Sequence, residues 1–149
     1  MLIDTGCTVN GYRSDITRTA FFGTPDEKFL RAYDAVLSAN LKAEKEIYGG
    51  ISGKDADKIA RDLLTERGYG EYFTHSLGHG VGLEIHEFPY LSPRSEGVLK
   101  ENSVFTVEPG VYFDGEFGIR IEDTCVMRDG KAVRLFSDGK TLRVINPDK

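Results

Sequence analysis

Carboxylates set inside strand-like runs constrain this chain more than any other feature. Asp4 lies in Leu2-Ile3-Asp4-Thr5-Gly6, and Asp15 in Ser14-Asp15-Ile16-Thr17-Arg18-Thr19. Glu108 lies in Thr106-Val107-Glu108-Pro109-Gly110, and Glu122 in Ile119-Arg120-Ile121-Glu122-Asp123. A fifth pattern, Gly78-His79-Gly80-Val81-Gly82, sets an imidazole among glycines. An acidic residue closing an apolar β run such as Val104-Phe105-Thr106-Val107 is costly if unpaired. A cation removes that cost. Four carboxylates and one imidazole form a ligand set for two adjacent divalent cations, and the rest of the chain must hold that set in place.

The surrounding sequence supplies a mixed α and β frame. Met1 to Cys7 reads as a short strand, Val9-Asn10-Gly11-Tyr12 as a turn, and Ile16 to Phe22 as the returning strand. Asn-Gly is the strongest short hairpin signal. This hairpin places Asp4 and Asp15 on paired strands, close enough to share a cation. The competing reading makes them polar residues flanking a turn. Thr24 is expected to cap a first helix, with Pro25 at its first position and Glu27 completing a capping box. Phe29, Leu30, Tyr33, Val36, Leu37 and Leu41 form its apolar stripe, and Gly49-Gly50 end it. Ser52 is expected to cap a second helix, with Ala56, Ile59, Ala60, Leu63 and Leu64 facing inward and Gly68 as its stop. Lys42, Lys45, Lys54 and Lys58 read as a solvated face, and neither helix is assigned any chemistry.

Beyond the helices the character changes. His75, His79 and His86, all the histidines of the chain, fall between Glu71 and Leu91 among glycines and a proline. Glycine beside a ligand lets backbone approach a metal or a substrate. Ser103 to Val107 and Ile119 to Met127 read as strands joined through Pro109-Gly110 and Asp114-Gly115. Ala132 to Phe136 reads as a last strand after the turn Arg128-Asp129-Gly130. A salt bridge to Arg120 or Arg18 is the competing reading for Glu122, because Arg120 and Glu122 share one face at period two. Ser137 to Lys149 shows weak periodicity and is expected to fray after Val144-Ile145.

Composition removes several function classes. At 149 residues the chain fits one domain with a real core. A net charge of −5 argues against nucleic acid as a partner. No apolar run approaches the ~20 residues that span a bilayer, so no membrane role is expected. No basic segment followed by an apolar one precedes a cleavage site, so no secretory signal is expected. Cys7 and Cys125 lie in separate candidate strands. They are expected to be small buried hydrophobes in a reducing, cytoplasmic compartment rather than a disulfide pair. There is no repeat, low-complexity tract or linker at which to divide the chain.

At its five patterns the sequence resembles the pita-bread metallopeptidases. That family includes methionine aminopeptidases, Xaa-Pro aminopeptidases, Xaa-Pro dipeptidases (prolidases), creatinase and metal-free relatives. The resemblance runs from Leu2 to Phe136, and the spacings agree: eleven from Asp4 to Asp15, sixty-four to His79, twenty-nine to Glu108 and fourteen to Glu122. Three stretches are similar to the Xaa-Pro branch: Gly11 to Thr19, His75 to Glu87, and Gly118 to Asp123. Methionine aminopeptidases are similar around His79 and His86 but typically lack an Arg two residues before the final Glu. The resemblance implies an α+β pita-bread fold, mainly an antiparallel curved sheet backed by two helices. Family members carry another half-domain before the first Asp, and the Xaa-Pro branch usually a separate N-terminal domain. Residues 1–149 are therefore expected to be the C-terminal part of the catalytic domain, with a chain start inside a domain.

The same resemblance implies the site. Asp15 and Glu122 would bridge two divalent ions (Mn, Co, Fe or Zn, with Mn or Co favoured). Asp4 would complete one shell, and His79 and Glu108 the other. A water held between such ions has a pKa lowered toward ~7. Glu108 would move its proton, and His75 and His86 would bind the scissile carbonyl or its oxyanion. Arg120 would orient substrate or brace Glu122. The implied substrate is a peptide with proline at its second position, and the implied full-length protein is a homodimer. The alternatives are a methionine aminopeptidase of the same fold, a non-catalytic peptide-binding relative, and an inert fragment.

Overall fold

The first hairpin forms as its turn residues direct. In the computed structural model, which describes residues 1–146, β1 (Leu2–Thr5) leads into a two-residue ribbon, β2 (Thr8–Val9) and β3 (Tyr12–Arg13). It returns as β4 (Ile16–Phe22). Asn10 and Gly11 take φ of 52° and 88°, the left-handed pair that a tight hairpin turn needs. β1 and β4 are antiparallel, with Asp4 opposite Thr17; Asp15 stands one residue ahead of β4. Cys7 lies between β1 and β2 in a run of exposed residues and is itself exposed, contrary to expectation; Cys125 is buried and both thiols are free.

Two helices follow. In α1 (Glu27–Glu46) the cap is Asp26, whose carboxylate accepts the Phe29 N–H at 2.8 Å. Thr24 is therefore not the cap, and Glu27 does not close a capping box. A carboxylate answers the positive end of the helix dipole better than a hydroxyl does. Phe29, Tyr33 and Val36 are buried as expected, but Leu30 and Leu41 are 44% and 48% exposed. Their places in the core go to Ala32, Ala35, Ala39 and Ala43, whose small side chains let the next layer approach. Ser52 caps α2 (Gly53–Glu66) by accepting the Asp55 N–H at 3.0 Å. Ala56, Ala60 and Leu64 face inward, and Gly68 follows the helix with φ of 82°.

The remaining strands are β5 (Gly78–Gly80), β6 (Glu87–Leu91), β7 (Val104–Val107), β8 (Gly110–Phe113), β9 (Phe117–Arg120), β10 (Asp123–Arg128), β11 (Lys131–Arg134) and β12 (Arg143–Ile145). An antiparallel sheet runs β11-β10-β7-β5-β6, β8 pairs with β9, and a third sheet runs β1-β4-β12 with β12 parallel to β4. Ile119 to Met127 is not one strand. It breaks at Ile121-Glu122, where Glu122 leaves the ladder and its N–H donates to the Thr17 carbonyl at 3.0 Å. That bridge joins the first hairpin to the five-stranded sheet. The C-terminal segment packs more firmly than its weak periodicity suggests, since Lys140 is buried and β12 pairs with β4. Of the stretch after Ile145 where fraying was expected, residues 147–149 lie outside the described residues.

Candidate metal centre

His79 is placed by backbone geometry. It sits in β5 between two glycines and beside a bulge in the β5–β6 ladder, which turns a side chain out of the regular register. A Cβ at Gly78 would lie 2.0 Å from the Thr106 carbonyl oxygen, and one at Gly80 would lie 2.4 Å from that of Phe88. The glycines are thus required by close packing. His79 Nδ1 donates to the Gly80 carbonyl at 3.0 Å, which aims Nε2 at the carboxylates: Glu108 Oε1 is 3.1 Å away and Asp15 Oδ2 is 3.8 Å away.

Each carboxylate has its own support. Glu108 follows β7; its N–H donates to the Leu77 carbonyl at 2.8 Å, and its Oε1 accepts the Thr106 hydroxyl at 2.9 Å. Glu122 is 2% exposed and accepts the Thr17 hydroxyl at 2.5 Å. Asp15 holds position through its carbonyl, which accepts from Thr124 Oγ1 at 2.7 Å. Donor atoms of Asp15, His79 and Glu122 all lie within 4.8 Å of one another. Asp4 stands at the rim, bonded to the Arg120 guanidinium. Arg120 does not brace the Glu122 side chain; Thr17 does.

The electrostatics are those of an acidic cluster short of positive charge. Burial, then Glu108, Asp15 and Asp4, push the Glu122 carboxyl up to about 8 against the pull of the Thr17 hydroxyl. Burial and Asp4 likewise raise the Asp15 carboxyl. Burial opposes the charge on His79, yet its hydrogen bonds to Glu108 and Gly80 and the nearby carboxylates raise its pKa overall. A divalent cation relieves carboxylate repulsion and the cost of burying Glu122 together. On these grounds the oxygen-rich set with one imidazole fits a transition-metal site.

All eight residues singled out in the sequence line one cleft of about 640 Å³. His86 is exposed, with its ring 4.3 Å from that of His79. His75 is held at both nitrogens: Nδ1 donates to the Ser76 carbonyl at 2.8 Å, and Nε2 faces the Tyr112 hydroxyl at 3.1 Å. Tyr112 accepts from Arg120 Nη1 at 2.7 Å, so its own proton points to His75. Burial lowers the His75 pKa, which keeps that ring neutral. Sequence reading missed Tyr112, Thr17 and Thr106. Thr17 shares a strand face with Asp15 at period two, a usable signal; Tyr112 offered none. It also missed Asn40 of α1, fully buried, whose amide donates to the carbonyls of Val107 at 2.9 Å and Ile121 at 3.2 Å. Those are the residues just before Glu108 and Glu122.

Fold and site together define a carboxylate- and imidazole-lined candidate metal centre on an α+β scaffold. The chain belongs to metallopeptidase family M24, which it matches over residues 1–129. It is 50% identical to the Xaa-Pro dipeptidase of Pyrococcus furiosus over 142 residues, 95% of this chain and 41% of that protein. Its fold matches the Xaa-Pro dipeptidase from Bacillus anthracis with a TM-score of 0.94 at 44% identity, covering 97% of this chain and 41% of the other. It also matches an X-Pro aminopeptidase from Thermotoga maritima with a TM-score of 0.93 at 44% identity, covering 97% and 40%. The pita-bread expectation therefore holds, with divalent metal ions as the family's cofactors. The chain spans about 40% of the length of the curated relatives it matches.

Proposed function

We propose that residues 1–149 are the C-terminal part of the pita-bread catalytic domain of a cytoplasmic, homodimeric Xaa-Pro exopeptidase. The observation that carries this reading is the convergence of five separate patterns on one cleft, with His79 Nε2 within 3.8 Å of two carboxylates. Asp15, His79, Glu108 and Glu122 would hold two divalent ions, Mn or Co favoured, with Asp4 contributing from the rim. Those ions would supply Lewis acidity, lowering the pKa of a water toward ~7 so that a nucleophile exists at neutral pH.

The chain's own groups divide the remaining work. Glu108 serves as proton acceptor and donor beside that water, oriented by the Thr106 hydroxyl. His86 has no protein hydrogen bond among the described residues and stands at the cleft, free to donate to the scissile carbonyl and its oxyanion. His75, with both ring nitrogens engaged, would contribute to substrate binding through the Tyr112 hydroxyl that it orients. Arg120 spans Asp4, Thr17 and Tyr112 and orients the polar groups of a peptide with proline second. Names of relatives on both sides of the dipeptidase–aminopeptidase divide support the shared Xaa-Pro chemistry.

The test is Glu108→Ala in the complete enzyme. Hydrolysis of a Leu-Pro peptide is expected to fall to background, and wild-type turnover in that variant would overturn the assignment. Calorimetric titration of this chain with Mn²⁺ should show two sites, lost in Asp15→Ala. A Met-Ala-Ser peptide cleaved in preference to Leu-Pro would place the enzyme in the methionine aminopeptidase branch instead.

A further inference from the structure

Helix α2 carries an ion pair whose hydrogen bonds all end on one irregular segment of the site. Asp57 and Arg61 are one turn apart, with Arg61 Nε donating to Asp57 Oδ2 at 2.7 Å and Nη2 to Oδ1 at 3.0 Å. An exposed pair at this spacing would be a solvated contact of little consequence. This one is not exposed: the Asp57 side chain is 1% accessible and that of Arg61 28%. Beyond each other, the two side chains bind backbone of the stretch from Phe73 to Leu77. Arg61 Nη1 donates to the Phe73 carbonyl at 2.9 Å and Nη2 to the His75 carbonyl at 2.8 Å, while Asp57 Oδ1 accepts the Leu77 N–H at 2.9 Å. The guanidinium lies 4.2 Å from the Phe73 ring centre, and Phe73 meets the His75 ring edge-on at 5.1 Å.

The segment from Phe73 to Leu77 has no helix or strand of its own. Its backbone groups need partners, and here the helix supplies them. We infer that Asp57 and Arg61 are positioning residues that fix His75, and through it the Tyr112 hydroxyl and the Arg120 guanidinium. In its kinetic consequences the inference rests on the peptidase reading above. The rigid fork of arginine is required, because three of its nitrogens are committed in different directions at once. A lysine would keep the charge and lose the fork.

The test separates positioning from general stability. Nitrogen-15 NMR of the histidine rings of this chain gives three imidazole spin systems, with His75 assigned through His75→Gln. In Arg61→Lys and Asp57→Asn, the His75 ring signals should shift or broaden while those of His79 and His86 stay in place. Lys58→Met breaks an exposed pair on the same helix and should leave all three unchanged. In the metal-loaded complete enzyme, Arg61→Lys should lower kcat/KM by about tenfold to a hundredfold with unchanged Mn²⁺ affinity. Unmoved His75 signals in either folded variant would overturn the inference. A wild-type enzyme without Xaa-Pro hydrolysis would count against the peptidase reading alone, and the ring signals would still decide the positioning.

Discussion

Glu122 is the residue on which the site's electrostatics turn. Its carboxyl is pushed up to about 8 in the folded chain from an ordinary value of 4.5. The folded state therefore holds a proton that the unfolded state has already released, and stability falls as pH rises from about 4.5 to about 8. Asp15, also raised, has the same sign. So does His79, whose stabilising contribution is lost as pH climbs through its raised pKa. Stripped of metal, the chain should melt lower at pH 8 than at pH 5, and Glu122→Gln should flatten that slope. Mn²⁺ should raise Tm more at pH 8 than at pH 5, because fewer protons must first be displaced. Thermal melts at the two pH values, with and without Mn²⁺, check the prediction; a wild-type slope unchanged in Glu122→Gln would refute it.

At the scale of elements, local chemistry sets where helices begin and end. Asp26, not Thr24, satisfies the first turn of α1. Asp26→Ala should cost about 1 kcal/mol, roughly 2–4 °C in Tm for a chain of this length, whereas Thr24→Ala should have little effect. Differential scanning calorimetry distinguishes the two. The strands follow a different rule. β5 is only three residues long, and it serves as a central strand because glycines on both sides of His79 let the neighbouring backbones close in. The break between β9 and β10 has a comparable origin: the backbone of Glu122 pairs with Thr17 rather than continuing a strand.

Across the whole molecule, one buried lysine ties the C-terminal segment to the site. Lys140 Nζ lies 2.8 Å from Asp123 Oδ2 and 2.7 Å from Glu44 Oε1, and it donates to Asn40 Oδ1. Asn40 in turn holds the carbonyls preceding Glu108 and Glu122. Arg18 completes the knot, donating from Nη1 to the Glu122 carbonyl at 2.6 Å and from Nη2 to Asp123 Oδ1 at 2.8 Å. Removing one partner of a buried charge group leaves the others uncompensated. Lys140→Met should lose about 3–5 kcal/mol of stability in urea denaturation and weaken Mn²⁺ binding in the same preparation. A loss below 1 kcal/mol would show that the knot contributes little.

The clustering of the candidate ligands, the hairpin that carries Asp4 and Asp15, and both helices were readable from the chain alone. Their signals are local: Asn-Gly at a turn, serine at a cap, histidine among glycines, a carboxylate inside a β run. Asn40, Asp57, Arg61, Tyr112 and Lys140 were not readable. As residues they look like ordinary polar positions on helices, a hairpin and a tail, and what sets them apart is burial against backbone groups far away in sequence. The order of the sheet, the alanine face of α1 and the bridge from Thr17 to Glu122 are likewise long-range choices. Local sequence determined which side chains could bind a cation; tertiary packing decided which buried polar groups hold them, because a hydrogen bond's worth is set by how completely both partners leave water.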